Sequence, residues 1–396
     1  MPSDFAQKFS EDLRNGLRAL EARDQLRSLT ELSGVDLCSN DYLGLAQHPK
    51  LRDSLVHAVT NATRVGGTAS RLLSGQDVAW HDLEEEFASF VGTEASLYFG
   101  SGYAANLGLL TTLAGPDDVI FSDALNHASL IDGIRLSGAR KHIYAHRDLN
   151  MLESLLIQYR DDWGRKLIVT ETVFSMDGDV APLREMVSLA ERYNAGIIVD
   201  EAHATAVHGP DGRGIAAGFP DSENIVARVH TCGKALASAG AFVCGGKSLK
   251  EYLVNHARSF IFTTAMPPYM AAQIRAALAL AATMNAERAA LQYNADRLAA
   301  ALRAQEWDTA ASATQIIPVI VGQNEAALSA AEFLRREGFA VRAIRPPTVA
   351  AGTARLRFSL TAAIGEKDLV RLGESLQRWR ELQHAPVAAG AAATNS

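Results

Sequence analysis

From about residue 95 the chain settles into short apolar runs that end in Gly, Ser, Asp or His, each followed by a helical pattern. "ASLYFG", "DVIFSD", "KHIYAH", "KLIVTET" and "AGIIVD" read as strands, with "LNMLESLLIQY" and "LREMVSLAERY" as helices between them. Such alternation predicts right-handed β-α-β units and a mostly parallel sheet covered by helices, an α/β fold. "IVARVHT" and "GAFVCGG" follow one another without a long helix, so the sheet is expected to gain an antiparallel member. Ahead of this region Phe5, Phe9, Leu13, Leu17 and Leu20 recur at helical spacing and predict an amphipathic first helix. Behind it, an Ala-rich run from about Ala271 to Ala304 predicts one connecting helix. "TQIIPVIVG", "AALSAAEFLRREG", "FAVRAIRPP" and "ARLRFSLTA" then suggest strand, helix, strand and strand of a small C-terminal α+β lobe. The expected division is an N-terminal helix and connecting segment over 1–45, a large domain over 46–280, a small domain over 281–385 and a disordered tail over 386–396.

Composition narrows the function classes. The 396 residues are 48% hydrophobic and 21% charged, as in soluble globular proteins with a sizeable core. A net charge of −7 argues against nucleic acid or an anionic membrane as partner. No apolar run has the length of a membrane span. "MPSDFAQKFSEDLRNGL" carries acids and no apolar core, unlike a signal peptide. Cys38, Cys232 and Cys244 have no metal-like spacing, so a cytoplasmic protein without a metal site is expected.

The sharpest chemical signal is "IIVDEAHATAVHG", where an apolar strand runs into Asp200, Glu201 and His203. "DEAH" suggests a helicase, but an NTPase also needs the loop GxxxxGK[ST]. The nearest candidate, "GAFVCGGKS", has five residues between the relevant glycines instead of four and follows the acid instead of preceding it. The helicase reading fails on both counts. In open parallel sheets, ligands bind outside the carboxyl ends of the strands. There "HTCGKALASAG" places Lys234, where desolvation would depress its pKa and free the amine as a nucleophile. A strand-end Asp, a nearby His and a nucleophilic Lys fit pyridoxal phosphate (PLP): the Lys carries the cofactor, and the Asp keeps the pyridine nitrogen protonated. "YFGSGYAANLGLL" offers a phosphate cradle, a glycine turn between strand and helix whose bland alternative is tight packing. His127 in "DALNHASLIDG" is either an N-cap neighbour or a group lying on the cofactor ring, and Ser175 in "ETVFSMDGD" is either a turn serine or a ring contact.

Taken in order, "SNDYLGL", "SGYAANL", "NHASL", "ETVFSMDGDVAPL", "VDEAHATAVHG", "TCGKAL", "FTTAMPP" and "RPPTVAAGTARLRFSLTA" resemble the α-oxoamine synthases over roughly residues 10 to 380. The resemblance implies the PLP-dependent transferase fold type I. It implies Lys234 as the lysine that carries PLP, Asp200 at the ring nitrogen, His203 and Ser175 at the ring oxygen, and His127 on the ring face. Gly102, Tyr103 and Thr231 would hold the phosphate side, Arg357 the amino acid carboxylate, and Arg27 and Thr348 further substrate. "FTTAMPP" implies a homodimer in which Thr263 reaches the partner's phosphate. "AIRPPTVAAGTARLR" is most like members that condense L-alanine with a pimeloyl thioester, on coenzyme A or acyl carrier protein; the alternatives are a glycine- or serine-using member and a PLP-binding protein without catalysis. For the donor's distal carboxylate the sequence offers Arg27 and Arg345, each equally readable as a surface charge or helix cap. Three departures from the family stand out: a short segment before "SNDYLGL", Ala237 where glycine is frequent, and Ala350 where proline is common.

Overall fold

The computed structural model describes residues 4–384, so the tail expectation lies outside the described residues. Strand β1 (Val35–Asp36) precedes β2 (Ala95–Phe99), β3 (Val119–Asp123), β4 (Arg140–Tyr144), β5 (Lys166–Glu171), β6 (Gly196–Asp200), β7 (Ile225–Thr231) and β8 (Ala241–Gly245). β2 to β8 form one sheet in the order β2-β8-β7-β6-β5-β3-β4. β3 to β7 pair in parallel, and β8 is antiparallel to both its neighbours. The expected α/β class and the antiparallel member are both present. Every residue of β3 and β5 is buried, because helices cover both faces of the sheet. Alternation sends Ile120 and Val169 into the core on one face and Phe121 and Ile168 into the core on the other.

Four further strands build the small lobe: β9 (Ile316–Gly322), β10 (Phe339–Ala340), β11 (Ala343–Ile344) and β12 (Ala354–Ser359). β9, β12 and β11 pair antiparallel, while β10 pairs in parallel with β1, stitching the N-terminal segment to this lobe. "FAVRAIRPP" is therefore two short strands serving different sheets, not one. A continuous core joins Leu37 and Tyr42 of the N-terminal segment, Phe87 and Phe242 of the large sheet's surroundings, and Ile317 and Leu356 of the small lobe.

One other expectation is corrected. The Ala-rich run is two helices, Tyr269–Ala282 and Asn285–Ala304. Between them the Thr283 hydroxyl donates to the Leu280 carbonyl, and Arg288 of the second helix donates to the Ala281 carbonyl at 2.7 Å, so polar side chains satisfy the last carbonyls of the first helix. The first helix forms over Asp4–Glu21, but none of its residues is buried, and Phe5, Phe9, Leu13 and Leu17 all face out.

Candidate active site

The carboxyl ends of β2, β3, β5, β6 and β7 lie along one edge of the sheet, and that edge collects the predicted side chains. Asp200 closes β6 and is 4% exposed. Its carboxylate accepts from Asn106 Nδ2 at 2.7 Å and from the Ala202 N–H at 2.8 Å. Among the described residues no salt bridge reaches it, although Lys234 and His127 both lie close enough to feel its field. Asn106 also donates to Ser129 Oγ at 2.9 Å, and Ser129 Oγ lies 2.7 Å from His127 Nδ1. The Ser129 N–H points at the same nitrogen at 3.2 Å. Since Nδ1 accepts both, the His127 proton sits on Nε2. Burial, against the pull of Asp200, holds the His127 pKa below its ordinary value, so the ring is neutral. His127 is at once the N-cap of the helix Ala128–Ser137 and the end of a hydrogen-bonded chain from Asp200.

Lys234 follows β7, half-buried, with Nζ 3.5 Å from Thr231 Oγ1. Desolvation lowers its pKa; Asp200 and Glu171 oppose that, and Arg357 adds to it. The result is an amine closer to neutrality than a surface lysine, as a nucleophile requires. His203 is buried with Nδ1 2.6 Å from the Tyr42 hydroxyl, and burial beside Lys234 and Arg357 takes its pKa well below the usual value. Arg357, on β12 of the small lobe, is 8% exposed; it donates through Nε to the Ser175 carbonyl and through Nη2 to Asn40 Oδ1 at 3.2 Å. The small lobe thus places a guanidinium over the strand ends of the large one.

The turn after β2 behaves as a cradle. A Cβ on Gly102 would lie 2.7 Å from Thr231 Cγ2, so only glycine allows the helix Gly102–Leu113 to start this close to β7. Tyr103 is 43% exposed and donates its hydroxyl to Asp132. Thr263 is exposed and lines a small cavity with Gly100 and Arg71; no hydrogen bond joins it to the Lys234 group among the described residues. Arg27 and Thr348 meet each other, Nη2 to Oγ1 at 3.3 Å, and Arg345 reaches the Asp24 and Leu26 carbonyls. Arg27 and Arg345 line a separate cavity of about 490 Å³ walled by Leu26, Leu29, Leu328 and Ile344. A larger hollow of about 1100 Å³ opens at the opposite ends of the strands, beside Leu167, Ile225 and Gly245, remote from these residues.

Asn106, Ser129, Tyr42 and Glu171 lie inside the quoted motifs, yet no role could be read for them, because their partners are distant in sequence. Glu171 is the register partner of Asp200 on the adjoining strand. Burial first, and then the Asp200 charge, raise its pKa well above the ordinary carboxyl value.

A family model described as aminotransferase class I and II matches residues 33–376. The chain is similar to an 8-amino-7-oxononanoate synthase of Geobacter sulfurreducens, 49% identical over 348 residues, or 87% of this chain and 88% of that protein. It is similar to another of Burkholderia thailandensis, 48% identical over 349 residues, or 86% and 88%. Among solved structures, a serine palmitoyltransferase from S. paucimobilis with bound PLP has TM-score 0.87 at 28% identity, covering 97% of this chain and 100% of that one. An 8-amino-7-oxononanoate synthase from Francisella tularensis has TM-score 0.76 at 30% identity, covering 89% and 99%.

Proposed function

The chain belongs to the aminotransferase class I and II family, and we propose that it condenses L-alanine with a pimeloyl thioester, giving 8-amino-7-oxononanoate, CO₂ and free thiol in biotin biosynthesis. Its fold is that of the PLP-dependent fold type I enzymes. The observation that carries the reading is the convergence of Lys234, Asp200, His127 and His203 on one strand edge beneath Arg357. Identities of 48–49% to curated proteins of that name support it.

The residues present fit pyridoxal phosphate. Asp200 is a buried carboxylate with no salt bridge among the described residues, suited to a protonated pyridine nitrogen, and the helix Gly102–Leu113 starts close against β7, so that its N-terminal end suits a phosphate. When bound, the cofactor supplies an electron sink for the carbanion at the alanine α-carbon. Lys234 Nζ would carry the cofactor and serve as the base for the α-proton. Asp200 would keep the ring nitrogen protonated, with His127 against the ring face. His203 and Ser175 would hydrogen-bond the ring oxygen. Gly102, Tyr103 and Thr231 would hold the phosphate, joined by Thr263 from a second copy in a homodimer. Arg357 clamps the alanine carboxylate, with Thr348 beside the acyl donor. The reaction removes the alanine α-proton, forms a bond from the α-carbon to the pimeloyl carbonyl carbon, breaks the thioester C–S bond to free the thiol, releases the amino acid carboxyl as CO₂ and returns a proton to the α-carbon.

The acyl donor's distal carboxylate is assigned to Arg27 and Arg345. Burial, and then the neighbouring Arg27 charge, lower the Arg345 pKa, and Arg345 Nε has no hydrogen-bond partner among the described residues, so an anion there would satisfy both. The apolar wall of the same cavity suits a methylene chain. We further assign the protein to the cytoplasm; no helix among the described residues is long and apolar enough to cross a membrane. A serine-using reading draws on the higher TM-score of the palmitoyltransferase, 0.87 against 0.76, but its identity is only 28%.

Product analysis by mass spectrometry, with alanine, glycine and serine each offered acyl thioesters of coenzyme A and of acyl carrier protein, tests the assignment. Alanine with a pimeloyl thioester should give the largest yield; better condensation of glycine or serine would overturn it. Light scattering should show a dimer at assay concentrations, and a fully active monomer would remove the Thr263 role.

A further inference from the structure

The Tyr42 hydroxyl lies between His203 Nδ1 at 2.6 Å and Asn40 Oδ1 at 3.1 Å, and has one proton to give. Asn40 Oδ1 already accepts from Arg357 Nη2 and from Ser359 Oγ, each at 3.2 Å. Two donors occupy its two lone pairs, and the His203 contact is the shorter, so the tyrosine proton goes to His203 Nδ1. We propose that Tyr42 is a positioning residue that fixes His203 as the tautomer with its proton on Nε2.

The proposal rests on the reading that His203 faces the cofactor's ring oxygen. Imidazole Nε2–H donates to that oxygen, whereas the other tautomer would turn a lone pair toward it. The surroundings make the choice of tautomer a real one. Tyr42 is fully buried, and desolvation keeps its phenol protonated. His203 is neutral for the reason already given, so its single ring proton must take one nitrogen or the other. The His203 backbone is also anchored, its carbonyl accepting from Gln315 Nε2 at 3.1 Å. Asn40 ties the arrangement to Arg357, so the group that clamps the alanine carboxylate and the group that sets His203 share one amide.

The full-length chain labelled with ¹⁵N-histidine reports the protonated nitrogen directly by NMR, with and without added pyridoxal phosphate. The His203 resonances are assigned by their loss in His203→Asn. The wild type should carry its proton on Nε2 in both samples, and Tyr42→Phe should lose that preference and gain the Nδ1–H form. A wild-type His203 protonated on Nδ1 overturns the proposal, as does an unchanged Nε2–H signal in Tyr42→Phe. The wild-type spectrum decides even where Tyr42→Phe fails to fold. No turnover is read, so failure here is distinct from failure of the assigned reaction, which product analysis tests.

Discussion

The Asp200 edge and the Arg27–Arg345 cavity both gather charge, but under opposite conditions. At the Asp200 edge the carboxylate is 4% exposed and takes two hydrogen bonds, one from an asparagine that is itself tied to Ser129. The positions are fixed by one sheet, whose register sets neighbours residue by residue. At the cavity, Arg27 is exposed, and Arg345 spends its guanidinium on backbone carbonyls of the segment before β1. The first arrangement holds charge in a low-dielectric site where each contact matters; the second meets water, where it matters less. The difference suits a division of labour in which bond-making is done by rigid groups and the far end of a long substrate is met by adaptable ones.

Replacing groups on each side should expose that asymmetry. The largest effect is expected at Lys234. Lys234→Ala should abolish turnover, and borohydride should label the wild-type protein on the peptide containing Lys234; labelling at Lys247 or Lys250 instead would break the assignment. Asp200→Asn should fold normally and lose about 10²–10³-fold in kcat, the scale of removing one preorganised electrostatic partner. Near wild-type kcat would contradict it.

A third test uses pH on the buried side. His146 is flanked by Asp123 and Asp179 at 2.8 and 2.7 Å. Burial opposes its charge, but the two carboxylates outweigh burial and raise its pKa from 6.5 to about 9. The folded-state value is raised, so the stabilisation is fully present below pH 6.5 and is lost as pH climbs through about 9. His146→Ala should therefore cost on the order of 3 kcal/mol near pH 6, by denaturant unfolding, and the gap should narrow as pH rises through 9. A pH-independent gap would remove the ion pairs as its cause.

On the cavity side the effects should shrink. Arg345→Ala should raise KM for a pimeloyl thioester about tenfold, or about 1.4 kcal/mol, and leave an uncharged acyl thioester of similar length almost unchanged. Arg27→Ala should do less, because exposed ion pairs contribute only about 0.2–1 kcal/mol. Equal effects on charged and uncharged donors would remove both arginines from the acyl site. The smallest change is expected at Ala237, which sits at φ +45° where glycine pays no steric cost. Ala237→Gly should stabilise the fold by about 1 kcal/mol or less, measured as a raised Tm.

What could be read from sequence follows the same divide. Strands buried on both faces write themselves as apolar runs, and the largely exposed edge strand β4 is marked by its alternation with helices, so β2 to β8 and the strand-end positions of Asp200, Thr231 and Lys234 were legible. The side chains that hold those residues were not. Asn106 reaches Asp200 across 94 residues and Tyr42 reaches His203 across 161, distances that no local pattern encodes. The break at Thr283–Met284 hid within a uniformly alanine-rich run, where propensity favours helix throughout. The first helix was legible as amphipathic, but its exposed apolar face shows that a stripe says nothing of what it packs against.

The pairing of β1 with β10 has a consequence for synthesis on the ribosome. Cys38, just past β1, touches the Ala340 carbonyl, 302 residues further along the chain. At about 5–20 residues per second, the N-terminal segment emerges roughly 15–60 s before the strand that completes its pairing. During that interval Leu37 and Tyr42, buried in the finished core, lack part of their covering. The nascent chain must therefore carry an unfinished seam for most of its translation, an exposure that holdase chaperones are suited to cover.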